Sequence, residues 1–254
     1  METDKIYLGD CLDLMKDIPD KSIDCIIADL PYNTTPLKWD CMIPFEPLWA
    51  AYKRIIKIDG AIILFAQQPF TTKLIASNLK MWKYNWIWEK DNGTNFLNSK
   101  YQPLKVTEDI CVFSFAAAAP PAGTHMRYYP QFDKGEPYIK KRSSRVGTAV
   151  IRSGCHDNVT INEDGRRYPT NILVFKRDKE KYHRTQKPVN LIRYLIRTYT
   201  QENDIILDNV CGSGTTCIAA IQEHRHYIGI EKDPTYYEIA CKRVREELQQ
   251  TTLF

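Results

Sequence analysis

The sequence has no long apolar run, no leader-like beginning and no paired cysteine motif. None of its apolar runs approaches the roughly 18 residues that a membrane span needs, and the first five residues are followed by no apolar segment typical of a secretory signal. Its eight cysteines form no Cys-x-x-Cys pair and several lie inside apolar runs, which is typical of reduced core thiols. These absences indicate a cytoplasmic protein without a membrane segment, a disulfide framework or a bound metal.

Positive charge is concentrated in one part of the chain. The net charge is only +4, but the segment from His125 to Lys187 carries 15 Lys and Arg against 7 Asp and Glu, a local charge of +8. The remainder of the chain is therefore mildly acidic. A basic segment on such a body favours a polyanionic partner. A solvated basic surface loop is the alternative, and charge alone does not decide between the two.

The length of 254 residues allows one large α/β domain, or one domain that carries a smaller insert. Strand-length apolar runs alternate with helical spacing, and the near-continuous run 23–28 is typical of a strand buried on both faces of a parallel sheet. In the helix that follows the Asp233 cap, the pattern places Leu248 inward, and Gly60 reads as a helix stop. We predict strands at 5–8, 23–28, 61–66, 86–90, 109–113, 171–175, 204–208 and 227–231, and helices at 12–18, 46–58, 188–200, 217–223 and from 234.

A glycine turn, Cys211-Gly212-Ser213-Gly214-Thr215-Thr216, lies between a predicted strand and a predicted helix. Glycines there let a ligand approach the backbone and the free N–H groups at the helix start. Glu231, at the end of the next strand, is placed to accept hydrogen bonds from ribose hydroxyls. The turn lacks a third glycine and a Gly-Lys-Ser/Thr ending, which disfavours cofactors with a pyrophosphate. A plain tight turn is the alternative.

A second cluster, Asp29-Leu30-Pro31-Tyr32, follows the buried strand 23–28. Within four residues it offers a carboxylate, a backbone carbonyl held before a proline, and an aromatic ring. Two acceptors and a stacking surface are the groups that bind a planar base through its amino group. Taken alone, the tetrapeptide is more typical of a strand-ending turn, in which the tyrosine covers the core.

Taken together, these motifs resemble those of the β-group DNA amino-methyltransferases of bacterial and phage restriction–modification type. The family has Asp/Asn/Ser-Pro-Pro-Tyr as its catalytic motif and Asp-Pro-Phe-x-Gly-Ser-Gly-Thr-Thr as its cofactor motif. Two further matches are His-x-Thr-Gln-Lys-Pro at 183–188 and Gly-Asp-Cys at 9–11. The resemblance covers residues 5–115 and 183–247, with four motifs in the family's order. The chain departs from the motifs at Leu30, which replaces a proline, and at Asn209-Val210, which replaces Pro-Phe.

The resemblance implies a Rossmann-like methyltransferase fold with S-adenosyl-L-methionine as cofactor and an inserted target-recognition region. It implies residues 1–115 as the catalytic part, 116–182 as the target-recognition region and 183–254 as the cofactor-binding part. It implies double-stranded DNA as partner, with a homodimer and a cognate restriction endonuclease as further candidate partners, in a bacterial or phage-infected cell. Asp29 and the Leu30 carbonyl would accept the amino hydrogens of a flipped base and Tyr32 would stack on it, so positioning and electrostatics suffice without a metal.

The residues that this interpretation assigns to the site fall into three groups. The catalytic group is Asp29, Leu30, Pro31 and Tyr32. The cofactor-binding group is Asp10, Cys11, Lys187, Pro188, Asp208, Cys211, Gly212, Gly214, Thr215, Thr216 and Glu231. The DNA-binding group, chosen as basic residues suited to phosphate contact and base readout, is Arg127, Lys140, Lys141, Arg142, Arg145 and Arg152.

We therefore expect a site-specific adenine-N6 methyltransferase, because an acidic first motif residue is more often found with adenine in this family. Cytosine-N4 methylation is the first alternative, since the fold accommodates both bases. Methylation of RNA or of a protein glutamine is the second, with Asn commoner than Asp at position 29 in such proteins. An inactive nucleic-acid-binding module that retains the fold is the third, to which the departures at Leu30 and Asn209-Val210 give some weight.

Overall fold

The computed structural model describes residues 1–32, 41–120, 123–141, 159–180, 182 and 185–251. Six α-helices occur in these residues: α1 (Cys11–Leu14), α2 (Phe45–Ile55), α3 (Phe70–Ser77), α4 (Val189–Tyr199), α5 (Thr215–Gln222) and α6 (Pro234–Thr251). The strands are β1 (Lys5–Leu8), β2 (Ile23–Ala28), β3 (Ile56–Ala66), β4 (Trp82–Thr94), β5 (Lys105–Phe113), β6 (Asp133–Lys134), β7 (Tyr138–Lys141), β8 (Val159–Asn162), β9 (Arg166–Arg167), β10 (Ile172–Val174), β11 (Ile205–Asp208) and β12 (His226–Glu231).

An eight-stranded sheet forms the centre of the larger unit, in the order β1-β12-β11-β2-β3-β5-β4-β10. Neighbouring strands are parallel, except that β5 is antiparallel to both β3 and β4. The predicted α/β fold with a mostly parallel sheet is confirmed. Parallel strands bring their carboxyl ends to one edge of a sheet, which is where open α/β folds bind ligands.

Helices cover both faces of this sheet. The side chains of a strand alternate between the two faces, so a strand buried along its whole length contributes to a core on each face. Along β2, Cys25 and Ile27 belong to the core beneath α4 and α5, whereas Ile26 and Ala28 belong to the core beneath α1, α2 and α3. Every residue of β2 is buried. The central strands therefore form a rigid base for the loops at their carboxyl ends. No helix in the described residues is both long enough and apolar enough to cross a lipid bilayer.

Four details of the sequence interpretation are wrong or incomplete. The helix predicted at 46–58 ends at Ile55, because Ile56 begins a long strand. In this strand, the Lys57 ammonium lies 2.7 Å from the buried Asp24 carboxylate. Gly60 lies inside that strand, and a Cβ there would stand 2.6 Å from the Asp24 carbonyl oxygen. Close approach of two strands therefore explains this glycine. Leu248, which the pattern places inward, is 46% exposed because it lies beyond the part of α6 that packs on the sheet. Helix α3 is an element that the sequence pattern does not predict.

The chain divides into two compact units, one of residues 1–129 with 171–254 and one of residues 130–170. The second unit holds two short antiparallel pairs, β6 with β9 and β7 with β8. Within it, the Arg167 guanidinium lies 4.6 Å from the ring centre of Tyr138, and the rings of Phe132 and Tyr168 lie 4.9 Å apart. This unit is shorter than the segment 116–182 that the sequence interpretation set apart, since residues 116–129 and 171–182 group with the larger unit.

Candidate active site

Two sequence motifs meet at the carboxyl edge of the sheet. Strand β2 leads into Asp29, β11 ends at Asp208 before the glycine turn, and β12 ends at Glu231. These three strands run parallel, so their ends lie side by side. Asp29 lines both of the cavities found there, one of about 380 Å³ and one of about 60 Å³. The arrangement places a carboxylate between two adjoining binding spaces.

Four of the predicted cofactor-binding residues line the larger cavity: Asp10, Cys11, Gly212 and Glu231. Asp10 accepts hydrogen bonds from the Leu12 N–H at 2.9 Å and the Lys232 ammonium at 3.0 Å. The Lys232 contact holds the pKa of Asp10 below its ordinary value. Asp10 is therefore a fixed anion at one side of this cavity.

Glu231 holds the glycine turn in place. Its carboxylate accepts the Gly212 N–H at 2.7 Å, and the Lys232 and Asp233 N–H groups at 2.8 Å each. A carboxylate has about four acceptor positions, so at least one remains for a ligand. Burial raises the pKa of Glu231 above its ordinary value, against the three N–H bonds.

The two glycines of the turn have different surroundings. Both have left-handed backbones, with φ of +52° at Gly212 and +81° at Gly214. A Cβ at Gly212 would meet nothing within 4 Å, whereas a Cβ at Gly214 would stand 3.0 Å from the Ala240 Cβ on α6. Gly212 therefore faces open space beside the cavity, and Gly214 is needed for close packing of α5 against α6. The predicted contact of Gly214 with a cofactor stays a prediction.

Residues of the glycine turn and of the 183–188 segment line the smaller cavity. Asp208, Cys211, Thr215, Thr216 and Lys187 all lie around it, as predicted members of the cofactor group. Burial raises the pKa of Asp208 to about 7, although Thr216 and the Val210 N–H donate hydrogen bonds to it. Pro188 instead caps the start of α4, where its carbonyl accepts the N–H groups of the next turn.

Asp29 is held through both of its oxygens. Its Oδ2 accepts the Lys187 ammonium at 2.6 Å, and its Oδ1 accepts the Tyr32 hydroxyl at 2.7 Å. Its side chain is 24% exposed. Burial raises the pKa of Asp29 above its ordinary value, with Lys187 opposing and Glu108 adding to this effect. The predicted catalytic carboxylate is thus fixed in position and partly accessible.

Two residues that the sequence interpretation missed, Glu108 and Lys90, complete this network. Glu108 Oε1 lies 2.8 Å from the Lys187 ammonium and 3.2 Å from the Tyr32 hydroxyl, and its Oε2 lies 3.0 Å from the Lys90 ammonium. Glu108 is only 7% exposed. Burial acts to raise its pKa, but the two lysines outweigh burial and lower it. Charges therefore alternate in sign along a buried row from Lys90 to Asp29, ending at the cavities.

The rest of the tetrapeptide has a clear arrangement. The Tyr32 ring stacks on Phe70 with ring centres 4.8 Å apart and an angle of 26° between the planes. Pro31 lines the larger cavity, and the Leu30 side chain is buried in the core. Phe70 starts α3, the helix that the sequence interpretation did not predict, so no sequence signal identified it.

Asn209, which replaces proline in the family's cofactor motif, is a buried residue of the larger cavity's lining. Its Oδ1 accepts the Tyr52 hydroxyl at 2.6 Å. Its Nδ2 is buried without a hydrogen-bond partner among the described residues, and beside it lies the Cys11 thiol, a weak acceptor. Buried amide donors of this kind are rare in folded proteins unless a water or ligand binds them.

The predicted DNA-binding residues are spread over both units. Arg127 lies at the opposite edge of the sheet, where its guanidinium binds Asp24 and Asp59 at 2.8 Å each and Asp204 at 3.0 Å. That location gives no support to a DNA contact, which stays a prediction. Lys140 and Lys141 lie on β7 of the smaller unit, and Arg142, Arg145 and Arg152 fall outside the described residues. Among described residues, no group of His, Cys, Asp or Glu is arranged to hold a metal.

The sequence matches the N6_N4_Mtase model of the DNA methylase family over residues 23–242. Among curated relatives, the type II methyltransferase M.HinfI of Haemophilus influenzae is 29% identical over 276 residues, covering 95% of this chain and 68% of M.HinfI. The type II methyltransferase M1.MboII of Moraxella bovis is 29% identical over 262 residues, covering 93% of this chain and 94% of its own.

Two solved structures share the fold. The M1.HpyAVI–SAM complex superposes with a TM-score of 0.63 and 22% identity, covering 94% of this chain and 98% of the other. The PvuII DNA methyltransferase, described as cytosine-N4-specific, superposes with a TM-score of 0.64 and 14% identity, covering 98% and 93%. At these identities the likeness concerns the fold.

Proposed function

The chain belongs to the DNA methylase family, and from that premise we propose that it methylates the N6 amine of adenine in duplex DNA with S-adenosyl-L-methionine as methyl donor. The observation that carries the proposal is the position of Asp29. It directly follows the central strand β2, lies between two cavities, and is fixed by Lys187 and Tyr32 while remaining partly exposed. A fixed, accessible carboxylate suits the binding of an amine on which positive charge develops.

The residues of the larger cavity fit the proposed cofactor. Its volume of about 380 Å³ is within the usual range for ligand sites. Glu231 retains acceptor capacity for ribose hydroxyls, and the Asn209 amide offers a buried donor without a partner. Asp10 and Gly212 would lie beside the bound nucleoside. When bound, the cofactor supplies an electrophilic methyl group on a sulfonium.

Asp29 would bind the amine through its remaining acceptor positions. Each carboxylate oxygen can accept two hydrogen bonds. Tyr32 occupies one position on Oδ1 and Lys187 occupies one position on Oδ2, so one position on each oxygen remains. A hydrogen bond from the target amine to Asp29, with a second to the Leu30 carbonyl, would turn the nitrogen lone pair out of conjugation with the base. The carboxylate would also stabilise the positive charge that develops on nitrogen.

Tyr32 would provide the stacking surface for the flipped base. Phe70 covers one face of its ring, and the hydroxyl is hydrogen-bonded to Asp29. The ring is thereby held in one orientation before the base enters, which lowers the entropy lost on binding.

Adenine is preferred over cytosine because the first residue of the catalytic motif is Asp29, which in the resembling family is more often found with adenine. Cytosine-N4 methylation is the second candidate, since the cytosine-N4-specific PvuII enzyme shares the fold. The other predicted partners, a second copy of the chain and a restriction endonuclease, stay predictions.

Transfer of a labelled methyl group to plasmid DNA, followed by digestion to nucleosides and mass identification, tests the proposal. We expect N6-methyl-2′-deoxyadenosine as the product, and none with Asp29→Ala, which should still bind the cofactor in calorimetry. N4-methyl-2′-deoxycytidine as the product would show that the target base is cytosine instead of adenine. No labelled nucleoside from the folded, cofactor-binding wild type would support the inactive-module alternative instead.

A further inference from the structure

Strands β4 and β5 form an arm that extends past the carboxyl edge of the sheet. Asp109 of β5 pairs with Ala66, the last residue of β3, yet β5 continues outward to Lys105, which pairs with Thr94 of β4. At roughly 3.3 Å per residue, the arm projects on the order of 13 Å beyond β3. Its tip, residues 95–104, therefore lies on the side of the sheet that carries Asp29.

Three large apolar side chains of the tip are exposed over most of their surface. Phe96 is 74% exposed, Leu97 is 97% exposed and Tyr101 is 88% exposed. The backbone between them is ordered by turns, with the Asn98 N–H bonded to the Asn95 carbonyl at 3.1 Å and the Tyr101 N–H to the Asn98 carbonyl at 2.9 Å. A structured loop that holds adjacent apolar side chains in solvent is typical of a contact surface.

Charge at the tip favours a polyanionic partner. Between Asn92 and Thr107 the chain has no acidic residue, while Lys100 and Lys105 are basic. A surface that pairs apolar and aromatic groups with positive charge and no negative charge suits nucleic acid, whose phosphates attract the lysines and whose bases stack on rings.

The tip is continuous with the candidate active site. A cavity of about 330 Å³ is lined by residues 102–109, including Glu108, together with Gln67 and Gln68. Glu108 in turn contacts Lys187 and lies 3.2 Å from the Tyr32 hydroxyl. A duplex bound with its target base against Tyr32 would thus lie next to the arm.

We propose that the tip of this arm, residues 95–104, binds the DNA duplex and inserts an apolar side chain into the stack at the space left by the flipped base. This inference rests on the proposed function. Flipping a base costs unstacking and unpairing energy, and an inserted apolar side chain recovers part of the lost stacking. Phe96 and Leu97, at the end of the arm, are the residues that fill the space, and Lys100 contacts phosphate.

The test compares serine substitutions of exposed apolar side chains at two places in the molecule. The tip variant is Phe96→Ser, Leu97→Ser and Tyr101→Ser. The control variant is Ile58→Ser and Leu79→Ser, which are 57% and 63% exposed at the opposite edge of the sheet. The DNA probe is a short duplex around a site that the wild type methylates in plasmid DNA, with 2-aminopurine in place of the target base.

We expect the tip variant to bind this duplex at least about tenfold more weakly and to lose most of the rise in 2-aminopurine fluorescence that flipping produces. The control variant should match the wild type in both measurements. A duplex with a mismatch at the target base flips at lower cost, so it should restore much of the tip variant's binding and fluorescence. A merely structural defect would not respond to the mismatch. Calorimetric cofactor affinity should be the same in all three proteins.

Three results would overturn the inference while leaving the proposed function in place. The first is a tip variant with wild-type DNA affinity and fluorescence. The second is a loss that the mismatch does not reduce. The third is a change of oligomeric state in sedimentation, which would identify the tip as a contact between copies of the chain. Failure of the proposed function is recognised separately, because the wild type would then transfer no methyl group to DNA.

Discussion

At the scale of single residues, the position of Lys187 raises a physical question. Its ammonium lies 2.6 Å from the carboxylate that we propose binds an amine developing positive charge. A lone cation there would oppose the reaction. Glu108, 2.8 Å from the same ammonium, supplies a counter-charge, so that Asp29 keeps part of its negative charge for the substrate. Lys187 and Glu108 therefore act through Asp29 as positioning residues.

This arrangement predicts opposite pH shifts from two substitutions. Asp29 must be ionised to accept the amine, so its pKa sets the acid limb of the kcat/KM profile. Glu108→Gln removes a negative charge that raises the pKa of Asp29, and the limb should move to lower pH. Lys187→Gln removes a positive charge that lowers it, and the limb should move to higher pH. Each shift should be on the order of one pH unit.

Steady-state rates from pH 5 to 9 measure these shifts, and Glu89→Gln is the control, since Glu89 is an exposed carboxylate on the same hairpin. Three further groups influence the pKa of Asp29 and must be considered when the shifts are interpreted: the Tyr32 hydroxyl, the Asp208 carboxyl and Lys90, which acts through Glu108. Limbs that move in the same direction, or that stay in place while only the rate falls, would contradict the assignment.

Asp208 predicts a pH dependence of stability. Its pKa is about 7 in the folded protein and about 4 in the unfolded chain. Between these values the folded protein holds a proton that the unfolded chain has lost, so the free energy of unfolding falls as pH rises. Asp208→Asn removes this loss. The free energy of unfolding of this variant, relative to that of the wild type, should therefore increase by roughly 2–4 kcal/mol from pH 4 to pH 7. Above pH 7 the difference should level off. Urea titrations of both proteins across this range measure it, and a constant difference would contradict the prediction.

Sequence patterns found some site residues and not others for a physical reason. Asp29 and Glu231 could be predicted because each lies at the carboxyl end of a buried apolar strand, and parallel strands bring such positions to one edge. Glu108 and Lys90 could not, because a charged residue in a strand is typical of a solvated face. Only the fold brings Glu108 to Lys187, a residue far along the chain.

At the scale of elements, the accuracy of prediction depended on burial. Strand β2 was predicted with its observed bounds, because a continuous apolar run buried on both faces leaves no other reading. Helix α2 was predicted too long, because Ile56-Lys57-Ile58 fits helical spacing as well as strand alternation. The choice was made by pairing of β3 with β2, a tertiary interaction that the local pattern does not contain.

The glycine turn gives a prediction at this scale. Gly214→Ala should destabilise the fold, since its Cβ would approach α6 at 3.0 Å from Ala240. Gly212→Ala should cost only about 1 kcal/mol for its left-handed backbone but should weaken cofactor binding, because its Cβ points into free space beside the cavity. Thermal unfolding and calorimetry distinguish the two. Equal losses of stability, or unchanged cofactor affinity in Gly212→Ala, would contradict the prediction.

Arg127 ties three strands together at the amino edge of the sheet. Its guanidinium bridges Asp24 on β2, Asp59 on β3 and Asp204 beside β11. Removing one partner of a largely buried charge network leaves the others uncompensated. Arg127→Gln should therefore lower the free energy of unfolding by about 3 kcal/mol. At a temperature where the variant is folded, its DNA affinity should equal that of the wild type. A loss of DNA affinity in the folded variant would instead support the assignment of Arg127 to the DNA-binding group.

At the scale of the whole molecule, charge divides by function. The proposed catalytic and cofactor sites lie in the larger unit, where Lys187 is paired with both Asp29 and Glu108. Excess positive charge lies in the segment 125–187, which includes the whole of the smaller unit, residues 130–170. Long-range attraction of DNA is therefore expected from this segment, and chemistry from the larger unit.

This division predicts the salt dependence of DNA binding. Each phosphate contact contributes about 0.9 to the slope of log affinity against log salt. Replacing Lys140, Lys141, Arg142 and Arg145 together by Gln should flatten the slope by up to about 3.6 and weaken binding to all sequences.

The control replaces four exposed lysines of the larger unit, Lys16, Lys73, Lys80 and Lys242. The control removes the same net charge, so a slope that depends only on total charge would change equally in both proteins. A slope that changes only in the first locates the phosphate contacts in the basic segment. Filter binding at several salt concentrations measures both slopes. If the first variant keeps the wild-type slope, these four charges lie on a solvated surface, and the phosphate contacts are made by other residues.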